Sequence, residues 1–203
     1  MEPARRQSRA LRTRDLVLSA AVEVMVEHGY AGLTMQRVQT RAGVTRGALT
    51  HHFSSMRELA VAAVDYVAEA QGAEIRGAVG TADPAALIDV LHEVTRRPTY
   101  VAGLELWVAA RTDPALREAL GPGARELARQ LRQPLLGLVG DLDDERLEVF
   151  GDGLLSLLRG LAIGGVLRDR PALEKAVLQA WLVAFGAEQR VAARRLPGSE
   201  PAC

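Results

Sequence analysis

One cysteine, one lysine and 4% aromatic residues are the shortages of this chain, and each closes a class of function. Cys203 is the last of 203 residues, so an intrachain disulfide framework, a four-cysteine zinc site and a cysteine nucleophile are all excluded. Lys175 is the single lysine; with arginine elsewhere and abundant Ala and Gly, the composition points to a GC-rich genome, and the identity of any one arginine carries little weight. β-Branched runs bounded by turn signals are missing, while hydrophobic residues still make up 48% of the chain. Alanine and leucine supply most of them, which predicts an all-α protein. The most apolar run, 154–167, is too short to span a bilayer and contains Arg159. The N-terminus is polar through Asp15, so no signal peptide is expected and the expected location is the cytoplasm.

Catalytic signatures are also lacking. There is no Glu-x-x-His pair, no His-Glu-x-x-His, no P-loop and no glycine fingerprint after a strand. His51 and His52 are adjacent, hence on different faces of a helix, and cannot easily share a metal. No enzyme, no catalytic or metal-binding set and no cofactor are expected.

Net charge is zero over the whole chain but not over its parts. Residues 1–57 hold nine arginines against four acids, net +5, and the remainder is net −5. A basic end is the electrostatic footprint of phosphate contact, and an acidic body restrains nonspecific binding; the alternative is a merely solvated basic tail.

That basic end contains the most informative stretch. Thr34 is placed to cap a helix with Val38 and Ala42 inward, and Thr45 to cap a second with Leu49 and Phe53 inward, joined by the turn Ala42-Gly43-Val44. This is a helix-turn-helix. The second helix leaves Arg46, Gly47, Thr50 and His51 outside, a polar patch with small positions that let backbone approach a duplex. An ordinary αα-corner has the same local pattern, and the basic surroundings favour double-stranded DNA as partner.

Around it the chain divides into a flexible basic arm (1–12), a DNA-binding unit (13–55), a helical body (56–193) and a disordered tail (194–203). A first helix is expected from about residue 13 to 28, stopped by Gly29, and Ser55-Met56-Arg57-Glu58 is a capping box opening a long helix that ends at Gly80. Asp83-Pro84, Arg97-Pro98, Asp113-Pro114 and Arg170-Pro171 mark helix starts, giving helices near 84–96, 98–111, 114–139, 143–167 and 171–193, about nine in all. Gly121-Pro122-Gly123 and Pro134 predict a kink or split in 114–139, since an interior proline costs about 3 kcal/mol. The last two helices are apolar over more than one face. Leu154, Leu157, Leu158 and Leu161 with Val177, Trp181 and Phe185 are the expected homodimer interface, the alternative being a central place in the monomer core.

Val17-Leu18 with Ala20-Ala21, Glu27-His28-Gly29-Tyr30, Leu33-Thr34-Met35, Arg41-Ala42-Gly43-Val44-Thr45-Arg46-Gly47-Ala48-Leu49, His52-Phe53 and Ser55 with Glu58-Leu59 together resemble the tetracycline-repressor (TetR) family of bacterial transcription regulators. Beyond residue 60 the likeness is one of helix count and of the phrase from Leu104 to Asp113, which resembles the ligand domain of some members. The resemblance implies an all-α homodimer with three N-terminal helices for DNA, a body that binds a small molecule of unknown identity, and two C-terminal helices for pairing. It implies a repressor released from a palindromic operator by that molecule. Carried residue by residue, Thr45 contacts phosphate, Arg46 and Gly47 face base edges, His51 lies in the groove, His52 lies near phosphate or in the domain core, and Gln36 makes a base or backbone contact.

Three positions depart from the family pattern: Thr50 replaces a phosphate-binding tyrosine, Met56 a lysine and Gln39 an alanine. Two lost phosphate contacts lower affinity and flatten the salt slope unless Arg57 and the arm's Arg12 or Arg14 compensate. For the ligand pocket the candidates between residues 60 and 165 are His92, Tyr100, Trp107, Arg111 and Phe150. Trp107 and Phe150 have plain core as their alternative, and Arg111 either meets an anionic ligand or compensates a helix dipole.

Overall fold

The computed structural model describes residues 2–79, 84–139 and 143–195, and all regular structure among them is helical. Nine α-helices follow in order: α1 (Glu2–His28), α2 (Met35–Ala42), α3 (Arg46–His52), α4 (Met56–Val79), α5 (Pro84–Arg96), α6 (Pro98–Ala109), α7 (Pro114–Val139), α8 (Asp144–Leu167) and α9 (Pro171–Arg195). A single 3-10 turn, Tyr30–Gly32, joins α1 to α2. The tail from residue 196, with Cys203, and the helix stop at Gly80 lie outside the described residues.

The starts follow local chemistry. Thr34 and Thr45 are extended and accept the backbone N–H of Arg37 (3.3 Å) and Ala48 (3.2 Å) at their hydroxyl oxygens, contributing about 1 kcal/mol each. Asp143 does the same for α8 by accepting from Arg146 N–H at 2.9 Å. At α4 the Ser55 hydroxyl accepts from Glu58 N–H, while the Glu58 carboxylate reaches one residue further than a standard box, to Ser54 N–H and Oγ (both 2.7 Å).

Three expectations are corrected. Helix α1 begins at Glu2 rather than near residue 13, because beyond Pro3 in the first turn the arm consists of good helix formers without a glycine. Helix α6 ends at Ala109, where the Arg117 guanidinium donates to the free carbonyls of Ala110 (3.2 Å) and Arg111 (2.9 Å). Helix α7 runs unsplit from Pro114 to Val139. Its glycines explain why: a Cβ on Gly123 would collide with the Asp65 carboxylate of α4, so the two helices lie in close approach and their packing outweighs the lost proline hydrogen bonds.

Buried side chains form two clusters. The first joins Val17, Leu18, Val24 and Met25 of α1, Val38, Leu49, Phe53 and Leu59 to Ala102 and Leu106 of α6 and Leu116 of α7. The second joins Ile75, Leu87 and Leu91 to Leu147, Phe150, Leu154, Leu158 and Leu178. Phe150 is fully buried, 5.2 Å from the Trp181 ring and 4.8 Å from Phe185.

One polar tie crosses the second cluster. Glu174 on α9 is buried, and its Oε2 accepts from Arg96 at 2.6 Å and pairs with His92 at 3.2 Å, both on α5. Burial pushes the Glu174 carboxyl up, but the hydrogen bonds from Arg96 and His92 outweigh it and hold the carboxyl below the ordinary 4.5. A depressed carboxyl stabilises the fold above its unfolded value, and that contribution is lost as pH falls through the lowered folded value. Glu174→Gln is therefore expected to cost about 1–3 kcal/mol at neutral pH. In urea melts at stepped pH, the gap to wild type closes in the acid range, and a gap independent of pH contradicts the assignment.

Candidate nucleic-acid interface and internal cavity

Gly43, at φ +64°, ends α2 in the left-handed region that a side chain resists, and turns the chain into α3. Leu49 and Phe53 anchor α3 in the first cluster, leaving Thr45, Arg46, Gly47, Thr50 and His51 exposed on its outer face. Nothing lies within 4 Å of where a Gly47 Cβ would stand. Gln36 is exposed on α2, and His52 is half-buried with its ring 6.4 Å from Phe53. The Thr50 hydroxyl donates to the Arg46 carbonyl at 3.0 Å, so its proton is already used inside the helix.

The arginines divide sharply. Arg41 binds Glu27 (2.5 and 2.8 Å) and Glu23 (3.1 Å), Arg37 donates to the Gly32 carbonyl (2.6 Å), and Arg57 pairs with Asp113 at 3.1 Å. Arg37 and Arg41 hold the unit together, and Arg57 ties the start of α4 to the α6–α7 turn. Arg57, the candidate to replace the missing lysine contact, is engaged with Asp113 here. Arg14 stands over the Phe53 ring at 5.6 Å, which brings this cation to the C-terminal end of α3.

The body grips the unit at the α1–α2 junction. Gly29 has φ +68°, and a Cβ there would approach Glu105 Oε2 to 2.8 Å. Glu105, on α6, accepts the Tyr30 N–H at 2.7 Å in the space so left. Arg57–Asp113 clamps the start of α4 to the α6–α7 turn, and Arg97 binds Glu74 through two 2.7 Å hydrogen bonds at the far end of α4.

Behind α6 lies a cavity of about 110 Å³, far above the space one water needs. Its wall is largely apolar and includes Val22 and Met25 of α1, Val64, Val67 and Ile75 of α4, Leu104 of α6 and Leu155 of α8. Gln71, Thr95, Thr99, Tyr100 and Arg159 are its polar members. Gln71 Nε2 donates to Thr99 Oγ1 at 3.4 Å, and Arg159 lies 4.3 Å above the Trp107 ring. Burial pushes the Tyr100 hydroxyl up, partly offset by the Arg159 charge, so at neutral pH it is a donor.

Of the expected pocket residues, Tyr100 and Trp107 line this cavity and three do not. His92 faces Glu174, Phe150 is sealed in the second cluster, and Arg111 is exposed beside a shallow depression with Trp107, Arg117 and Leu120. Gln71, Thr99 and Arg159 went unnamed as pocket residues, although a polar side chain inside an apolar helix is a visible signal: Gln71 interrupts α4 and Arg159 interrupts α8.

Of the expected interface residues, Leu154 and Leu158 are core instead. They are 1% and 2% exposed within their own core, Trp181 stacks on Phe150, and Phe185 meets Phe150 at a tilt of 49°. Leu157 and Leu161 are half-buried flanks, while Val177 does face outward. The outer face of α8 carries Val149, Gly160, Ile163, Gly164 and Leu167, and that of α9 carries Leu173, Val177 and Val183. Apolarity on two faces cannot tell inside from outside by composition; the glycines can, since Gly160 and Gly164 have nothing within 4 Å of a Cβ. Among the described residues only α8 is long and apolar enough to cross a membrane, yet one of its faces is core and Arg159 sits at the cavity.

Residues 17–63 match the family model of bacterial regulatory proteins of the tetR family, and residues 84–189 match that of the BetI-type transcriptional repressor C-terminal domain. The HTH-type transcriptional regulator CymR of Pseudomonas putida is 35% identical over 127 residues, a stretch covering 59% of this chain and 63% of CymR. The uncharacterized HTH-type transcriptional regulator Rv2912c of Mycobacterium tuberculosis is 29% identical over 83% of this chain and 90% of its own length. Among solved structures, the multidrug binding protein EbrR in complex with imidazole superposes with a TM-score of 0.61 at 28% identity, over 82% of this chain and 93% of that one.

Arg46 and Arg14, which pair with no carboxylate among the described residues, are expected to behave differently. Arg46→Ala should reduce discrimination between a specific site and random DNA by about 1–3 kcal/mol. Arg14→Ala should weaken all sequences alike and lower the slope of log K against log salt by about 1. Fluorescence anisotropy across a salt series separates the two, and an equal loss on specific and random DNA for Arg46→Ala would make it a phosphate contact.

Proposed function

The chain belongs to the TetR family of bacterial transcription regulators, not to an enzyme family, and we propose that it is a repressor that binds a palindromic operator as a homodimer and leaves it when a small molecule fills the internal cavity. The observation that carries this reading is the double use of α1. Val17, Leu18 and Val24 pack the DNA-binding unit, while Val22 and Met25 wall the cavity. An occupant therefore touches the unit's own first helix, with no relay needed. Helix α6 gives a second link: Tyr100, Gly103, Leu104 and Trp107 line the cavity, and Glu105 holds the Tyr30 N–H.

The assignment divides the chain at about residue 55, into a reading unit and a body. In the reading unit Thr45 meets phosphate at the start of α3, Arg46 and Gly47 face base edges, and Gln36, Thr50, His51 and His52 border the groove. Two copies would place their α3 helices in successive major grooves, with centres about 34–36 Å apart or somewhat more. The pairing surface is the outward apolar face of α8 and α9, whose small Gly160 and Gly164 permit close helix contact. Binding of the effector must favour one spacing of the reading heads over the other, since a ligand shifts an equilibrium only by its differential affinity. That the multidrug binding protein EbrR, a neighbour in fold, is seen in complex with imidazole supports a small-molecule-binding role for this chain. A cytoplasmic location follows from this role.

Selection of bound genomic fragments tests the reading directly: a two-fold symmetric sequence is expected, and no enrichment over random fragments contradicts it. Ile163→Glu places a charge in the pairing face without touching the core. The variant should elute as a monomer in size-exclusion chromatography with light scattering, and lose tenfold or more in operator affinity, on the order of 1.4 kcal/mol. A dimer of unchanged affinity would move the interface elsewhere.

A further inference from the structure

Resting on the effector reading above, we propose that the cavity takes an organic anion, an apolar ring bearing a carboxylate, with Arg159 as its counter-ion. Charge balance in the wall carries the argument. Among the described residues twenty-one line the cavity, and of these Arg159 is the one charged side chain, with no aspartate or glutamate beside it. A half-buried guanidinium in apolar surroundings is normally matched by a carboxylate. Among the described residues Arg159 has no such match. Its recorded neighbour is the Trp107 ring, 4.3 Å away, which leaves its N–H fork unsatisfied by any acid.

The contrast with the other body arginines sharpens this. Arg57, Arg96 and Arg97 are each paired with one or more carboxylates at 2.5–3.5 Å. Arg76, Arg111 and Arg117 also pair with no carboxylate among the described residues, but all three are exposed; Arg159 is half-buried, and it lies at the cavity. A guanidinium receives a carboxylate through two parallel hydrogen bonds, and stacking on indole holds its plane. Tyr100, a neutral donor, together with Thr99 and Gln71, supplies further polar contacts around the same cavity. Val64, Val67, Leu91, Leu104 and Leu155 form the apolar remainder, suited to a ring or short hydrocarbon body.

A series of one shape and three charges tests this: benzoate, benzamide and benzamidinium, titrated calorimetrically into the full-length protein. Benzoate should bind about tenfold or more tighter than benzamide, the scale of a hydrogen-bonded charge pair, with benzamidinium weakest. Arg159→Met should remove the preference for benzoate, and Arg159→Lys, which keeps the charge, should retain part of it and guards against misreading a misfolded variant. Equal binding of the three, tighter binding of benzamidinium, a preference that survives Arg159→Met, or no binding of any of the three overturns the assignment. Operator release read in parallel keeps the two claims apart. Benzoate held through Arg159 without any effect on DNA binding upholds the anion site and removes the effector role; release by benzamidinium alone upholds the effector role and removes the anion site.

Discussion

The packing of α1 against α6 is the constraint on which the rest of the molecule depends. α1 cannot move without disturbing the reading unit, because Val17, Leu18, Val24 and Met25 are part of the cluster that holds Val38, Leu49 and Phe53. It cannot ignore the cavity either, because Met25 and Val22 are in its wall. The Glu105–Tyr30 hydrogen bond closes the junction at the one place where Gly29 leaves room for a carboxylate. Interiors packed this closely rearrange in discrete steps rather than by smooth deformation. Under the proposed function, a displacement of α6 is passed to the reading unit through this packing.

Charge in this protein is organised by commitment rather than by count. The basic N-terminal segment has nine arginines, yet Arg37, Arg41 and Arg57 are spent on a carbonyl and on Glu23, Glu27 and Asp113. Among the described side chains, what remains for phosphate near α3 is Arg46 and Arg14, with Arg12 two residues further back on α1. The same accounting singles out Arg159 in the body. Arg14, Arg46 and Arg159 have neither a carboxylate nor a carbonyl partner among the described residues, whereas the matched arginines bind helix to helix at little net stability.

Helix starts were legible because they are local: Thr34, Thr45, Asp113, Asp143 and the prolines at 84, 98, 114 and 171 sit where their side-chain chemistry demands. The helix-turn-helix was legible for the same reason. What the residues alone left open was decided by tertiary approach. Proline 122 reads as a breaker until Gly123 is seen against Asp65, and Leu154 reads as interface until Phe150 is seen beside it. His92 and Phe150 were candidates for the cavity by type, since an aromatic or a histidine in an apolar helix has the same local pattern whichever way it turns. Gln71 and Arg159 carried a better signal, namely polarity where the periodicity asks for an apolar residue.

The central claim is that filling the cavity moves the reading heads, and the most direct measurement is the distance between the two α3 helices of a dimer. A spin label at residue 51, in a background with Cys203→Ser, reports it by pulsed dipolar spectroscopy. Gly103→Phe serves as a built-in occupant, since Gly103 lines the cavity and a Cβ there meets nothing nearer than Val64 at 4.0 Å. The account predicts that the unsubstituted dimer samples a spacing compatible with successive major grooves, about 34–36 Å between helix centres or somewhat more. It also predicts that Gly103→Phe shifts the distribution by several ångströms and weakens operator binding with it. Superimposable distributions, with the cavity filled and the dimer intact, would contradict the coupling of cavity to reading head.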